Sequence, residues 1–306
     1  MNSPNFPAKL LLFGEYSIIQ GGQALALPLR LFEAAWKWGD KNASNNDYYQ
    51  KLLDFTAYLE ASTLSKDINH QVFRQDLNEG LYFDSTIPQG YGLGSSGALC
   101  AAVYQRYGLQ KTTHLGNLKT LFAQMESFFH GASSGIDPLV AYLQKPLLVN
   151  SREAREEGAA ALFSPDVATA PQSSAFSLFL LDTGRERQTG PLVQQFLKDC
   201  EDSHYLQRLE AQYMPVVEEA IEAFIRQDQS LLWSAFHQIS HFQYQYFSAM
   251  IPQDLLNLWL NGLAQGSYRL KLCGAGGGGF MLGMSTDWKA CQEVLHPYQL
   301  LSLSPQ

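Results

Sequence analysis

Three glycine-bearing stretches lie far apart along this chain, and together they constrain its fold more than any other feature. They are residues 7–16 (PAKLLLFGEY), 88–98 (PQGYGLGSSGA) and 271–280 (KLCGAGGGGF). Each stretch adjoins an apolar run, and glycine permits backbone conformations that other residues rarely adopt. We therefore expect the three stretches to assemble one site from distant parts of the sequence.

The middle stretch has two familiar interpretations that its surroundings disfavour. Gly92, Gly94 and Gly97 satisfy the G-x-G-x-x-G pattern of dinucleotide folds, but such folds need an acidic residue about 20 residues further on. Residues 98–125 contain no acidic residue, and the chain contains no Gly-Lys pair for a Walker-type loop. The sequence instead favours a phosphate-binding loop that leads into a helix N-terminus, with a plain serine-capped turn as the alternative. The leading hypothesis is a kinase of small molecules.

Two acidic residues and one lysine are the candidates for chemistry at that loop. Glu126 lies on a predicted amphipathic helix, and Asp137 follows eleven residues later. Carboxylates beside phosphates hold magnesium, or orient and deprotonate an attacking hydroxyl. Gly131 and Gly135 would let the chain reverse, so that Asp137 points back at the loop. Lys9 lies among apolar residues, where an unpaired ammonium is costly, and we expect it to pair with Asp137. The alternatives are a solvated glutamate, a turn-capping aspartate and a lysine that reaches the surface.

Composition excludes several other classes of function. The formal net charge of −8 provides no basic field for nucleic acid or anionic lipid, so we expect neither as a partner. Four cysteines without paired spacing argue against a disulfide framework and a zinc site. The N-terminus has no cationic segment followed by an apolar one, and no stretch approaches membrane-spanning length. We therefore expect a reduced, cytoplasmic compartment.

Hydrophobic patterning predicts both strands and helices, and the length of 306 residues suggests two domains or one large one. Residues 151–174 change from charged to alanine-rich to proline- and serine-bearing sequence, which indicates a linker between domains at 1–165 and 175–306. We predict strands near 81–86, 176–181 and 280–284, and helices near 48–61, 95–107, 115–129, 190–200, 206–226 and 230–250.

In order and rough position, the three stretches resemble the three motifs of the GHMP kinases, the superfamily of galactokinase and of homoserine, mevalonate and phosphomevalonate kinases. The mevalonate kinase family looks closest. It shares the Leu-Phe-Gly-Glu run, the Gly-Leu-Gly-Ser-Ser loop, the His-Gly-x-x-Ser-Gly-x-Asp run at 130–137 and the Gly-Ala-Gly-Gly-Gly-Gly loop. The resemblance implies the GHMP kinase fold, with an α+β N-terminal domain that binds ATP and a ferredoxin-like C-terminal domain.

The resemblance also implies a role for each matching residue. Asp137 would be the catalytic aspartate with Lys9 beside it, and Ser96 and Glu126 would hold magnesium against the phosphates of ATP. The acceptor substrate would meet Glu15, Tyr16, His130 and Ser134. The residues implied to bind the nucleotide are Gly90, Gly92, Leu93, Gly94, Ser95, Ser96, Gly274, Gly276 and Gly277.

The function implied is an ATP- and magnesium-dependent transfer of phosphate to a hydroxyl of a small acidic metabolite, with mevalonate the first choice. Tyr16 stands where mevalonate kinases usually carry histidine, and Gly-Glu-Tyr occurs in phosphomevalonate kinases, so that activity is the alternative. A non-catalytic sensor of nucleotide or metabolite on the same fold is the alternative from another class. The partners we expect are small molecules, with a homodimer as the assembly to consider.

Two further features are given little weight. Arg185 and Arg187 follow the turn at 182–184; they could meet an acidic substrate, but we expect a solvated loop. His237 and His241 have the spacing of a zinc pair on a predicted helix, but no third ligand is evident in the sequence. We interpret them as a surface or core pair.

Overall fold

The computed structural model describes residues 4–39, 47–150, 161–163, 175–187 and 189–303. The chain divides into two units, and both are discontinuous in sequence. The first comprises Met1–Lys9, Pro28–Pro88 and Leu93–Lys145, and the second comprises Leu10–Leu27, Gln89–Gly92 and Pro146–Gln306. Apart from 161–163, the predicted linker at 151–174 lies outside the described residues, so the predicted boundary between 165 and 175 stays a prediction.

Strands and helices together give the α+β class that the resemblance implied. The strands are β1 Phe6–Phe13, β2 Gln23–Trp38, β3 Leu81–Ser85, β4 Leu147–Asn150, β5 Ala161–Phe163, β6 Ser177–Asp182, β7 Tyr268–Leu272, β8 Phe280–Ser285 and β9 Gln299–Ser302. The α-helices are α1 Asp47–Ala61, α2 His70–Asn78, α3 Ser95–Tyr107, α4 Leu115–His130, α5 Ile136–Leu143, α6 Thr189–Asp199, α7 Ser203–Arg208, α8 Met214–Arg226, α9 Gln229–Tyr246, α10 Leu256–Gln265 and α11 Trp288–Val294. Within the described part of the chain, no helix is both long enough and apolar enough to cross a membrane.

The first unit is built around α3. Every residue from Gly97 to Tyr104 is buried, and α3 packs against α2, α4 and α5. Most of these residues are glycine, alanine or cysteine, so the neighbouring helices approach the α3 backbone closely. On α4, the predicted apolar stripe is buried at Leu118, Phe122 and Met125. The second half of β2 pairs antiparallel with β3 in the same unit.

The second unit contains an antiparallel sheet of four strands in the order β7-β8-β6-β9. Both β7 and β8 are buried along their whole length; α9 and α10 pack on β7, and β8 lies between β7 and β6. The fully buried side chains of this unit include Tyr213, Phe236 and Trp259. In the same unit, the start of β2 pairs antiparallel with β4, and β4 pairs with β5.

Two departures from the predicted elements have local causes. The helix predicted at 206–226 is confirmed as a continuous helical segment, but a π-helical turn at Leu209–Tyr213, which was not predicted, divides it into α7 and α8. Pro215 lies at the start of α8 and has no N–H to donate to the preceding turn, and a π turn relieves such an interruption. Helix α5 was not predicted, because Gly135 and Pro138 are loop signals, although proline is tolerated in a first helical turn. Asp137 therefore lies in the first turn of a helix.

The first histidine of the pair on α9, His237, contacts an arginine of β7. The Nε atom of Arg269 donates a hydrogen bond to Nδ1 of His237 at 2.6 Å. Burial lowers the pKa of His237, and the charge of Arg269 lowers it further. The Arg269 guanidinium also lies over the ring of Trp233. His237 is thus part of the packing between α9 and β7, whereas His241 is exposed.

We predict that Gly97→Ala destabilises the protein. A Cβ at residue 97 would lie 2.7 Å from the backbone nitrogen of Pro138 and 2.8 Å from the carbonyl carbon of Asp137. Alanine favours a helix by about 1 kcal/mol over glycine, but forcing two backbones apart costs about 1–3 kcal/mol, so we expect a net loss. Urea unfolding followed by circular dichroism measures it. The control is Gly190→Ala in α6, where an added Cβ meets nothing within 4 Å. Equal stability of the two variants would contradict the prediction.

Candidate active site

The second glycine-bearing stretch opens α3 in the way that an anion-binding loop requires. Gly94 precedes the helix with φ of 72°, and no side chain caps the first turn. The first N–H groups of a helix have no partners within it, and the helix dipole makes this end positive. The backbone N–H of Lys9 donates to the carbonyl of Leu93 at 2.8 Å, which fixes the loop to β1. The N-terminus of α3 is therefore anchored and suited to a negatively charged group.

The predicted ion pair between Lys9 and Asp137 is present in the first unit. The Nζ atom of Lys9 lies 2.8 Å from Oδ1 of Asp137, and Lys9 is otherwise buried. A Cβ added at Gly94 would lie 3.2 Å from Cβ of Asp137 and 3.3 Å from its Oδ2. The carboxylate therefore points at the loop, and Gly94 leaves room for it.

A second carboxylate lies nearby on α4. Glu126 is 4% exposed, and its Oε1 accepts a hydrogen bond from Oγ of Ser96 at 2.9 Å. Its Oε2 accepts one from Oγ of Ser133 at 2.5 Å. The Oγ atom of Ser96 also lies 2.9 Å from Nε2 of His130. Burial raises the pKa of Glu126 to about 7, and the charge of Asp137 adds to the rise, while the two hydroxyls and Lys9 oppose it.

The donor set in this unit suits magnesium. Magnesium is usually held by one or two carboxylates together with substrate phosphates and water. Among the residues that the structure describes, no group of three or more His, Cys, Asp and Glu side chains is arranged to hold a metal ion alone. The Glu126 carboxylate and the Ser96 hydroxyl meet at the N-terminal end of α3, which is suited to a negatively charged group. They fit an ion that depends on phosphates for its remaining ligands.

The third glycine-bearing stretch lies in the second unit and is held by its backbone. The N–H of Gly277 donates to the carbonyl of Met250 at 2.7 Å, and the N–H of Gly279 donates to the carbonyl of Arg185 at 2.7 Å. A Cβ at Gly276 would overlap the Met250 carbonyl. Gly276 has φ of 76°, so glycine is required there for both conformation and space.

A buried ion pair lies directly before this loop. The Nζ atom of Lys271 lies 2.5 Å from Oε1 of Glu15, and both side chains are at most 1% exposed. Burial raises the pKa of Glu15, and the charge of Lys271 opposes the rise. Lys271 also donates to the carbonyl of Leu272 at 2.7 Å. Glu15 thus links the first and third glycine-bearing stretches.

Tyr16 makes a second link of the same kind. Its hydroxyl donates to the carbonyl of Ala275 at 2.7 Å, and its ring packs against Phe196 and Phe247. Burial raises the pKa of Tyr16. In this structure Glu15 and Tyr16 both support the loop at 274–279. The acceptor-binding roles implied for them stay predictions.

Arg187 is the residue that sequence reasoning missed. Its guanidinium lies against the α-carbons of Gly92 and Gly274, where an added Cβ would overlap it, and its Nη1 donates to the carbonyl of Cys273 at 3.3 Å. Its backbone N–H donates to the carbonyl of Gly90 at 3.0 Å. The prediction of a solvated loop is therefore wrong for Arg187, whereas Arg185 forms an exposed ion pair with Asp254. The sequence feature that could have indicated this residue is a positively charged side chain just after the end of β6.

The predicted site residues thus form one group in each unit. The first unit holds Lys9, Leu93, Gly94, Ser95, Ser96, Glu126, His130, Ser134 and Asp137. The second unit holds Glu15, Tyr16, Gly90, Gly92, Gly274, Gly276 and Gly277. The hydroxyl of Ser134 accepts the N–H of Ile136 at 3.4 Å in the turn before α5. The catalytic, metal and substrate roles assigned to these residues stay predictions.

Comparison with known proteins supports the motif resemblance. Residues 58–145 match the model of the GHMP kinases N terminal domain. The mevalonate kinase of Thermococcus gammatolerans is 27% identical over a region that covers 44% of this chain and 47% of that protein. The mevalonate kinase of Pyrococcus furiosus is 30% identical over the same shares. The sequence match thus spans about half the length of these curated relatives.

Solved structures match the chain over nearly its whole length. L. major mevalonate kinase, in complex with R-mevalonate, has a TM-score of 0.66 at 15% identity and covers 100% of this chain and 97% of its own. Streptococcus pneumoniae phosphomevalonate kinase, in complex with phosphomevalonate and AMPPNP, has a TM-score of 0.64 at 16% identity. It covers 99% of this chain and 100% of its own. The chain has the fold of these kinases, and its residues 58–145 match the GHMP kinases N terminal domain. Its curated relatives are named mevalonate kinases.

We predict strong coupling between Glu15 and Lys271. Lys271→Met leaves a buried carboxylate without its partner, which costs about 3–5 kcal/mol, and Glu15→Gln leaves a buried ammonium. The free energy of unfolding should fall less in the double variant than the sum of the losses in the two single variants. Urea unfolding in a double-mutant cycle measures this difference. Glu222 and Arg226, an exposed pair on α8, are the control, with coupling below about 1 kcal/mol. Additive losses at Glu15 and Lys271 would refute the coupling.

Proposed function

We propose that this protein is a kinase that transfers the γ-phosphoryl group of ATP to a hydroxyl of a small acidic metabolite, with magnesium as cofactor. The observation that carries the proposal is the Lys9–Asp137 pair, 2.8 Å apart, with its carboxylate directed at the glycine loop that opens α3. Phosphoryl transfer requires mainly positioning and charge neutralisation. An aspartate and a lysine at an anion-binding helix terminus meet both requirements.

In this proposal Asp137 orients the acceptor hydroxyl and accepts its proton. A carboxylate contributes to such a step when it is held within hydrogen-bonding reach of the hydroxyl. The ammonium of Lys9 fixes one carboxylate oxygen, and Gly94 leaves space beside the other. Lys9 also offers positive charge to the transferring group, whose equatorial oxygens carry negative charge in the transition state.

The nucleotide and its metal involve other residues of the chain. We propose that the first turn of α3 binds the phosphates and that Ser96 and Glu126 hold magnesium. When bound, the ion neutralises charge on the β- and γ-phosphates. Support comes from the uncapped first turn of α3 and from the two-residue donor set, which leaves the remaining ligand positions to phosphate and water. The Streptococcus pneumoniae neighbour was solved with AMPPNP.

Mevalonate is the acceptor that we propose first. The curated relatives are named mevalonate kinases, and a neighbour of the same fold was solved with R-mevalonate. Phosphomevalonate is the second candidate, favoured by Tyr16 in the first motif.

The acceptor is identified by measuring ADP release with ATP and magnesium, offering mevalonate, phosphomevalonate, homoserine and galactose separately. We expect turnover with mevalonate. A reaction without acceptor gives the background of ATP hydrolysis. Turnover with phosphomevalonate alone would replace the first candidate with the second. Absence of turnover with all four compounds, while ATP still binds, would favour a different acceptor or a non-catalytic sensor on the same fold.

We predict that Asp137→Asn lowers kcat by about 100- to 10,000-fold, the contribution expected of a positioned proton acceptor, while nucleotide affinity stays close to that of the wild type. The matched control is Asp84→Asn, which removes a carboxylate from an exposed ion pair with Lys37 in the same unit. Steady-state kinetics and nucleotide titration measure the two effects. Retained turnover in Asp137→Asn would remove this residue from the catalytic role, and equal losses in both variants would indicate a general defect.

A further inference from the structure

Glu126 is held by two hydroxyl groups, and only one of them belongs to a position that the GHMP motif specifies. Ser96 lies in the glycine loop, whereas Ser133 occupies the second variable position of the His-Gly-x-x-Ser-Gly-x-Asp run. Each serine contacts a different oxygen of the carboxylate, at 2.9 Å for Ser96 and 2.5 Å for Ser133. Because Glu126 is 4% exposed, water contributes little to its solvation.

The proton of the Ser133 hydroxyl has a defined direction. Its Oγ accepts a hydrogen bond from the backbone N–H of Gly135 at 3.0 Å. The hydroxyl carries a single proton, which it donates to Oε2 of Glu126. The turn itself is pressed against α4, since a Cβ at Gly135 would overlap the carbonyl of Lys119. Ser133 is therefore fixed both by its own turn and by the helix that carries Glu126.

The two serines differ in what else they contact. The Oγ atom of Ser96 also lies 2.9 Å from Nε2 of His130, and the proposed function makes it a ligand of magnesium. Ser133 contacts the other oxygen of the carboxylate, Oε2. The terminal torsion of a glutamate has a broad energy profile. The orientation of the carboxylate plane is therefore fixed only when a hydrogen-bonding partner holds it. Among the described residues, the Ser133 hydroxyl is the donor that contacts Oε2 of this buried side chain, and losing it is unfavourable.

We propose that Ser133 is a positioning residue for the metal–nucleotide complex. It holds Oε2 of Glu126 so that Oε1 stays directed at Ser96 and the end of α3. This inference rests on the proposed function, because it assumes that Glu126 is a ligand of magnesium. Groups that orient a metal ligand commonly change metal affinity by about 10- to 100-fold when removed.

The test compares three variants. Ser133→Ala removes the hydroxyl, Ser133→Thr keeps it, and Ser127→Ala is the matched control. Ser127 follows Glu126 on α4, but its hydroxyl donates to the carbonyl of Ala123 at 2.6 Å within the same helix. Binding of Mn²⁺ in the presence of a non-hydrolysable ATP analogue is measured by electron paramagnetic resonance, which does not depend on turnover. Thermal unfolding of each variant verifies that it is folded.

We expect Ser133→Ala to weaken Mn²⁺ affinity about 10- to 100-fold, Ser133→Thr to stay within about threefold of the wild type, and Ser127→Ala to match it. Equal affinity in Ser133→Ala and Ser127→Ala would overturn the proposal, as would a loss in Ser133→Thr as large as that in Ser133→Ala. Failure of the wild type to bind the Mn²⁺–nucleotide complex would also overturn it. If the wild type binds the complex but transfers phosphate to no acceptor, the proposed function fails while the expected pattern of metal affinity still supports the role of Ser133.

Discussion

The close approach of α3 and α5 is the constraint on which the first unit depends. At Gly97 the α3 backbone contacts the backbone of Asp137 and Pro138 so closely that a methyl group does not fit. This contact sets the position of the first turn of α5 and, with it, the Asp137 carboxylate. The same carboxylate then lies beside Gly94 and within 2.8 Å of Lys9. Small residues along α3 thus determine where the candidate chemistry is located.

Three acidic side chains of the motifs show how an environment decides what a carboxylate can do. Glu15 is fully enclosed with Lys271, so its charge supports the loop that follows β7. Glu126 is enclosed with two hydroxyls, which stabilise it less than a full opposite charge would and leave it able to take a cation. Asp137 keeps a quarter of its side chain exposed beside an ammonium, which suits a group that must reach a substrate.

Sequence reasoning recovered much of this arrangement but not all of it. The amphipathic stripe on α4 and the pairing of Lys9 with Asp137 followed from apolar spacing and from the cost of burying a lone charge. Helix α5 and the π-helical turn before α8 were not predicted, because glycine and proline are typical of loops. Tertiary packing can nevertheless place both residue types at the start of a helix. Arg187 was missed because its contacts are with backbone atoms of residues far away in sequence, at Gly92 and Gly274. No local pattern records such a contact.

The sequence by itself determined the three glycine-bearing stretches, the resemblance to the GHMP kinases with the α+β class that it implies, and the identity of the residues proposed to carry phosphoryl transfer. These depend on local spacing and on residue chemistry, which one chain displays directly. Only the tertiary structure decided which hydroxyl meets which oxygen of Glu126, that Tyr16 holds the carbonyl of Ala275, and that Arg187 lies over two glycines. Those contacts join residues brought together by packing, and packing is a property of the whole folded unit rather than of any segment.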